Sequence, residues 1–196
     1  MRTRRVFAGL YQERRKATPL GLIHIYTGDG KGKSTAACGL AIRAFGAGLR
    51  VKIVRFLKSS QSGECKAIAM LRAIDERIEV KYFETSHKLL WDMNEEEKEA
   101  LKEQVLKAYQ YCFQTAKEHS CDLLVMDEAI GAVYAGFISE EELLRLMQEK
   151  NPHVELVLTG RNAPESLVEK ADYVSEIRAV KHPYDQGISA REGIEF

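Results

Sequence analysis

Lys33 and Ser34 stand directly behind a glycine-rich turn, Thr27-Gly28-Asp29-Gly30-Lys31-Gly32, and Thr35 follows them. That combination suits phosphate. Glycines allow the backbone to turn tightly and aim successive N–H groups into one concavity, a helix start behind it adds positive dipole, and a lysine supplies a mobile cation. Gly28, Asp29, Gly30, Lys31, Gly32, Lys33, Ser34 and Thr35 are therefore candidate nucleotide contacts, with Lys33 the residue for stabilising a phosphate leaving group. The pattern departs from G-x-x-x-x-G-K-[ST] by one residue, because Thr27 stands where the first glycine belongs and Gly28 makes the loop shorter. A shortened cradle still grips a polyphosphate, but it need not hold the γ-phosphate where an ordinary NTPase hydrolyses it. A dinucleotide loop fits less well, since G-x-G-x-x-G would need glycine at Lys33.

The second chemical signal is Asp127-Glu128, two carboxylates closing the apolar run Cys121 to Met126. A strand ending in acids is where phosphate-loop proteins support their metal, so Ser34, Asp127 and Glu128 are the candidate Mg²⁺ residues. Arg161 ends another apolar run, Val154 to Gly160, and is a further candidate for ATP. Lys58, Gln61 and Glu64 leave the run Val51 to Leu57 and are either site residues or a plain surface turn.

These residues need strands to carry them, and the chain supplies apolar runs alternating with helix-like segments. Leu22–Tyr26, Val51–Leu57, Ile78–Phe83, Cys121–Glu128, Val154–Gly160 and Tyr173–Val180 read as six strands. Helices are expected over Ser34–Phe45, Cys65–Ile74, from an Asn94 cap to about His119, over Ser139–Lys150, and from Pro164 to about Ala171. The alternation implies an α/β single-domain P-loop fold: a mostly parallel six-stranded sheet with helices on both faces. Residues 1–20 form a separate basic arm, a possible lid, and 21–196 the nucleotide-binding domain. His24 reads as a hydrogen-bonded core residue and Arg43 as half of a structural ion pair.

Composition narrows the classes. With 29 basic and 29 acidic residues in 196, the chain has no overall charge to draw it to nucleic acid or membrane. Residues 1–16 nonetheless set six basic side chains against Glu13 alone. No segment has the form of a secretory signal or the length to span a bilayer, so a soluble, cytoplasmic protein is expected. The four cysteines lack paired spacing, which suits small core side chains in a reducing compartment rather than disulfides or zinc.

Taken together, Thr27–Thr35, Arg43-Ala44-Phe45-Gly46, Phe56-Leu57-Lys58, Asp127-Glu128, Leu158–Arg161 and the tail Lys181–Ile188 with Gly193–Phe196 resemble the ATP:corrinoid adenosyltransferases of bacterial cobalamin synthesis. The resemblance runs from the loop to the last residue, and the tail discriminates best. It implies attack of a Co(I) corrinoid, cobalamin or a precursor such as cobinamide, on the 5′ carbon of ATP, with triphosphate released. It also implies an ATP laid backwards on the loop, Mg²⁺, a basic arm over the corrinoid, a homodimer, and an electron donor such as a flavodoxin-like protein or reduced flavin. Family members usually carry G-x-G-F-x-W, whose aromatics displace the lower cobalt ligand. Here Lys88-Leu89-Leu90-Trp91 keeps only the tryptophan, making Trp91 the corrinoid contact, with Leu89 or Phe83 in the missing aromatic's role. The competing classes are a phosphate-loop kinase or NTPase, which would need a base or a water-positioning residue, and a non-catalytic nucleotide-dependent binding module.

Overall fold

The computed structural model describes residues 20–57, 62–83 and 90–195, and the side chain of Trp91 is not among what it describes. The basic arm, Lys58, Gln61 and Leu89 lie outside that set. Six strands, β1 (Ile23–Thr27), β2 (Val51–Arg55), β3 (Ile78–Tyr82), β4 (Leu123–Asp127), β5 (Glu155–Thr159) and β6 (Tyr173–Glu176), form one sheet in the order β3-β2-β4-β5-β1-β6. Every pairing is parallel. The expectation of a mostly parallel six-stranded sheet is met, and this sheet is wholly so.

Alternation along the strands divides the core in two, because successive side chains point to opposite faces. On one face Ile25, Val54, Leu124, Met126, Leu156 and Leu158 pack with Leu101, Val105, Ala108 and Cys112 of helix α3 (Glu95–Lys117), with Ile130 of α4 (Ala129–Tyr134), and with Leu143 and Leu146 of α5 (Glu140–Glu149). On the other, Val51, Ile53, Ile78, Leu123, Val125 and Val157 meet Ala37, Ala41 and Ala44 of α1 (Lys33–Gly46) and Ile68 of α2 (Gly63–Ile74). The alanines let α1 lie close to the strands that carry the site. A last helix, α6 (Glu165–Lys170), buries Leu167.

Helix starts follow their sequence signals. Asn94 accepts from the Glu97 amide while Glu97 caps the Asn94 amide, a reciprocal pair that Ser139 and Glu142 repeat at α5. Helix α4 has no such signal: six residues interrupted by Gly131 are too few to show a period, so it is not legible in the sequence.

Two local expectations need correction. β6 ends at Glu176 rather than Val180, because the chain beyond it leaves the sheet to cross the glycine-rich turn; all four of its residues are exposed. In the tail, Pro183–Gln186 forms a short 3₁₀ turn. Arg43 makes no ion pair among the described residues. It is exposed in the last turn of α1, where the negative end of the helix rather than a carboxylate favours a cation. His24 behaves as expected, its Nε2 lying 2.5 Å from Glu155 Oε1 and its ring stacked on Tyr173. Cys65, Cys112 and Cys121 are buried and all four cysteines are free thiols.

Candidate functional site

Parallel strands deliver their carboxyl ends to one edge of the sheet, and there β1, β4 and β5 bring the glycine-rich turn, Asp127 and Thr159 side by side. The turn takes the shape that its glycines permit. Gly28 and Gly32 adopt φ of 100° and 127°, the left-handed side of backbone space that side chains resist. Gly28 and Gly30 also lie against the backbone of Ile177 and Arg178, where a Cβ would approach to 2.4 Å and 2.7 Å.

Not every amide of the turn faces a phosphate concavity. The Gly30 N–H donates to the Ile177 carbonyl at 2.8 Å, so that donor fastens the loop rather than serving a ligand, contrary to the expectation of successive N–H groups in one cradle. Asp29 is fastened likewise. Its carboxylate accepts from the Ala179 amide at 3.1 Å, and chiefly for that reason its pKa is lowered, with Arg161 and Lys33 adding smaller electrostatic contributions. Lys33 is buried beneath the turn and donates to the carbonyls of Gly28 and Gly30 at 2.7 and 2.8 Å. Lys31, Thr35 and Arg161 are exposed around the same edge.

Ser34, in the first turn of α1, donates from Oγ to Asp127 Oδ1 at 2.7 Å, and Thr159 Oγ1 donates to the same oxygen at 2.7 Å. Asp127 Oδ2 lies 3.6 Å from Nε of Arg55, a buried guanidinium that also donates to Ser62 and, at 2.9 Å, to Cys65 Sγ. Glu128, next in the chain, has φ 67° and begins α4, so its side chain turns back over Gly131.

Under this constellation lies a small cavity lined by Ser34, Cys38, Arg55, Glu64, Cys65 and Asp127, among others. Glu64 is thereby brought to the site. Burial, then the carboxylates of Asp127 and Glu64, pushes the Cys38 thiol up to about 12, so Cys38 is a neutral lining group and not a nucleophile.

A hydroxyl beside carboxylates is a hard-oxygen donor set. It fits Mg²⁺, which takes one or two protein oxygens, keeps waters and shares substrate phosphates. Phe83, by contrast, follows β3 and packs against Tyr111 of α3, with ring centroids 6.3 Å apart. Four strand spacings separate β3 from β1, on the order of 19 Å, so Phe83 lies at the same edge but far from the phosphate turn.

Sequence reasoning gave no role to Arg55, Thr159, Gly131 or the crossing segment 177–179. Arg55 and Thr159 carried the only available signal, being polar residues at the ends of apolar strands.

Residues 20–196 match the family described as ATP:corrinoid adenosyltransferase BtuR/CobO/CobP. The chain belongs to that family. A corrinoid adenosyltransferase of Escherichia coli K12 is 33% identical over 177 residues, covering 90% of this chain and 86% of that protein. One from a Sinorhizobium species is 31% identical over 182 residues, covering 92% and 83%. The Salmonella typhimurium corrinoid adenosyltransferase CobA is 31% identical over 177 residues, covering 90% and 86%. Family membership makes the chain an enzyme that transfers an adenosyl group from ATP to a corrinoid. No helix among the described residues is long and apolar enough to cross a membrane.

Proposed function

We propose that the 5′-deoxyadenosyl group passes directly from ATP to Co(I), with the whole triphosphate as leaving group and no covalent intermediate on the protein. The cobalt electron pair forms the Co–C5′ bond as the C5′–O bond breaks and its electrons go to triphosphate. The observation carrying this reading is the convergence of Lys33, Ser34 and Asp127 at one strand edge, a set suited to holding polyphosphate.

Lys33, together with amides of the turn and of the α1 start, binds the triphosphate and offsets charge as it develops there. Ser34, Asp127 and Glu128 would hold Mg²⁺, and Arg161 would reach the nucleotide from the end of β5. Bound there, Mg²⁺ adds positive charge at the phosphate oxygens. Trp91, with Phe83 or Leu89, covers the lower face of the corrinoid, and the basic arm serves as a lid over the corrinoid. The protein works as a cytoplasmic homodimer supplied with electrons by a flavodoxin-like protein or reduced flavin.

The test is incubation with MgATP under strong reduction, with and without cobalamin or cobinamide. Triphosphate and an adenosylated corrinoid formed in equal amounts are expected, strictly dependent on corrinoid. ADP as product would point to a kinase or hydrolase and overturn the reading.

A further inference from the structure

The two acidic residues of the site are held by one hydroxyl. Thr159 is fully buried at the end of β5, with 0% of its surface exposed. Its Oγ1 donates to Asp127 Oδ1 at 2.7 Å and accepts the Glu128 amide at 2.9 Å. The hydroxyl's only proton is therefore directed at Asp127, and a lone pair is directed at the peptide linking Asp127 to Glu128.

Both contacts bear on geometry that is otherwise costly. Glu128 has φ 67°, a left-handed conformation that a non-glycine residue adopts only under strain. Fixing its amide fixes that turn, and the turn is what carries the Glu128 carboxylate back over Gly131. On the other side, Asp127 Oδ1 already accepts from Ser34. With Thr159 on the same oxygen, the carboxylate cannot rotate without losing both donors, and Arg55 faces its second oxygen at 3.6 Å.

We propose that Thr159 is a positioning residue for the metal: a hydroxyl clamp that sets the Asp127 carboxylate against Ser34 and the backbone turn of Glu128 at the same time. This rests on the reading of Ser34, Asp127 and Glu128 as the Mg²⁺ residues. A buried threonine needs some hydrogen-bond partner in any fold. What assigns a role here is that both of its partners belong to the acidic pair. Outer-sphere partners of this kind commonly change metal affinity by about 10- to 100-fold.

The experiment measures Mn²⁺ binding by electron paramagnetic resonance on the full chain with ATP present, and ATP binding alone in EDTA, for wild type, Thr159→Val and Thr159→Ser. Thr159→Val is expected to weaken Mn²⁺ about 10- to 100-fold while leaving metal-free ATP binding within about twofold, and Thr159→Ser to restore Mn²⁺ binding to within about threefold. If Thr159→Val does not fold, Thr159→Ala, which needs no added room, carries the same expectation. Wild-type Mn²⁺ affinity in the valine variant, or equal losses in the valine and serine variants, overturns the clamp alone. Failure of the wild-type protein to bind Mn²⁺ with ATP overturns the metal reading, and the clamp with it.

Discussion

The amide of Gly30 donates to the carbonyl of Ile177 at 2.8 Å, tying the phosphate turn to the segment that continues from β6. A Cβ at Gly30 would lie 2.7 Å from the carbonyl carbon of Arg178, backbone that cannot step aside like a side chain. Gly30→Ala should therefore cost about 1–3 kcal/mol, the usual penalty of overpacking, and weaken ATP. Gly39→Ala, at an open position in α1, should leave both unchanged or slightly improved. Thermal melts and ATP titrations of the two variants check this; equal behaviour would mean that the crossing segment gives way.

Lys33→Ala should keep the fold and lose adenosyl transfer by about 100- to 1000-fold, the scale of removing one donor from a developing anion. Circular dichroism and a triphosphate assay on one preparation decide it, and near-native turnover would remove Lys33 from the reaction.

Gly131 offers a sharper probe of Glu128 than deletion does. An alanine methyl there would meet Glu128 Oε1 at 2.7 Å, and the carboxylate, being the end of a flexible side chain, is what must move. Gly131→Ala should fold as well as wild type, since alanine is the better helix former by about 1 kcal/mol, yet need more Mg²⁺ for half-maximal activity, as should Glu128→Ala. Glu96→Ala, on the exposed start of α3, is the control; Mg²⁺ curves that superimpose across all three variants would take Glu128 out of the metal site.

Acid stability should depend on Glu155. Burial acts to raise its pKa, but hydrogen bonds from His24 and the Leu22 amide outweigh that and leave the pKa lowered from 4.5. A carboxylate depressed in the folded state contributes stability in full above its unfolded value, and that contribution disappears as pH falls through the folded value. Between pH 7 and pH 3, wild type should therefore lose more stability than Glu155→Gln. Parallel losses in urea melts would show that the β1–β5 contact is not a titrating one.

Trp91 lies in the 3₁₀ turn Leu90–Asp92 that precedes α3. If it closes the lower corrinoid face, Trp91→Ala should use pre-reduced Co(I) substrate well and fail when reduction starts from bound Co(II). Equal losses from both substrates, with a stability drop of about 3–5 kcal/mol, would mark it as a core residue.

The parallel sheet was legible because buried strands read as continuous apolar runs, and Lys33, Ser34 and Asp127 because their types and order have few other uses. The role of Thr159 was not: a threonine closing a strand looks like any β-branched residue until β5 is seen beside β4. Arg55 was hidden in the same way, its neighbours Ser62 and Cys65 having no chemical reading of their own. Helix α4 escaped through shortness, and the crossing at 177–179 because backbone-to-backbone bonds leave no trace in side-chain pattern.

The strand order also bears on how the enzyme is made. β1 is synthesised first among the described strands, yet its two neighbours are β5 and β6, with Ile23 beside Leu156 and His24 beside Tyr173. On the ribosome, β2, β3 and β4 can pair with one another while β1 has no partner until residues 155–176 emerge. The nucleotide site is thus completed only once β5 and β6 have been made. Stalled chains ending before β5 should leave the phosphate turn open to protease, and chains released past β6 should protect it.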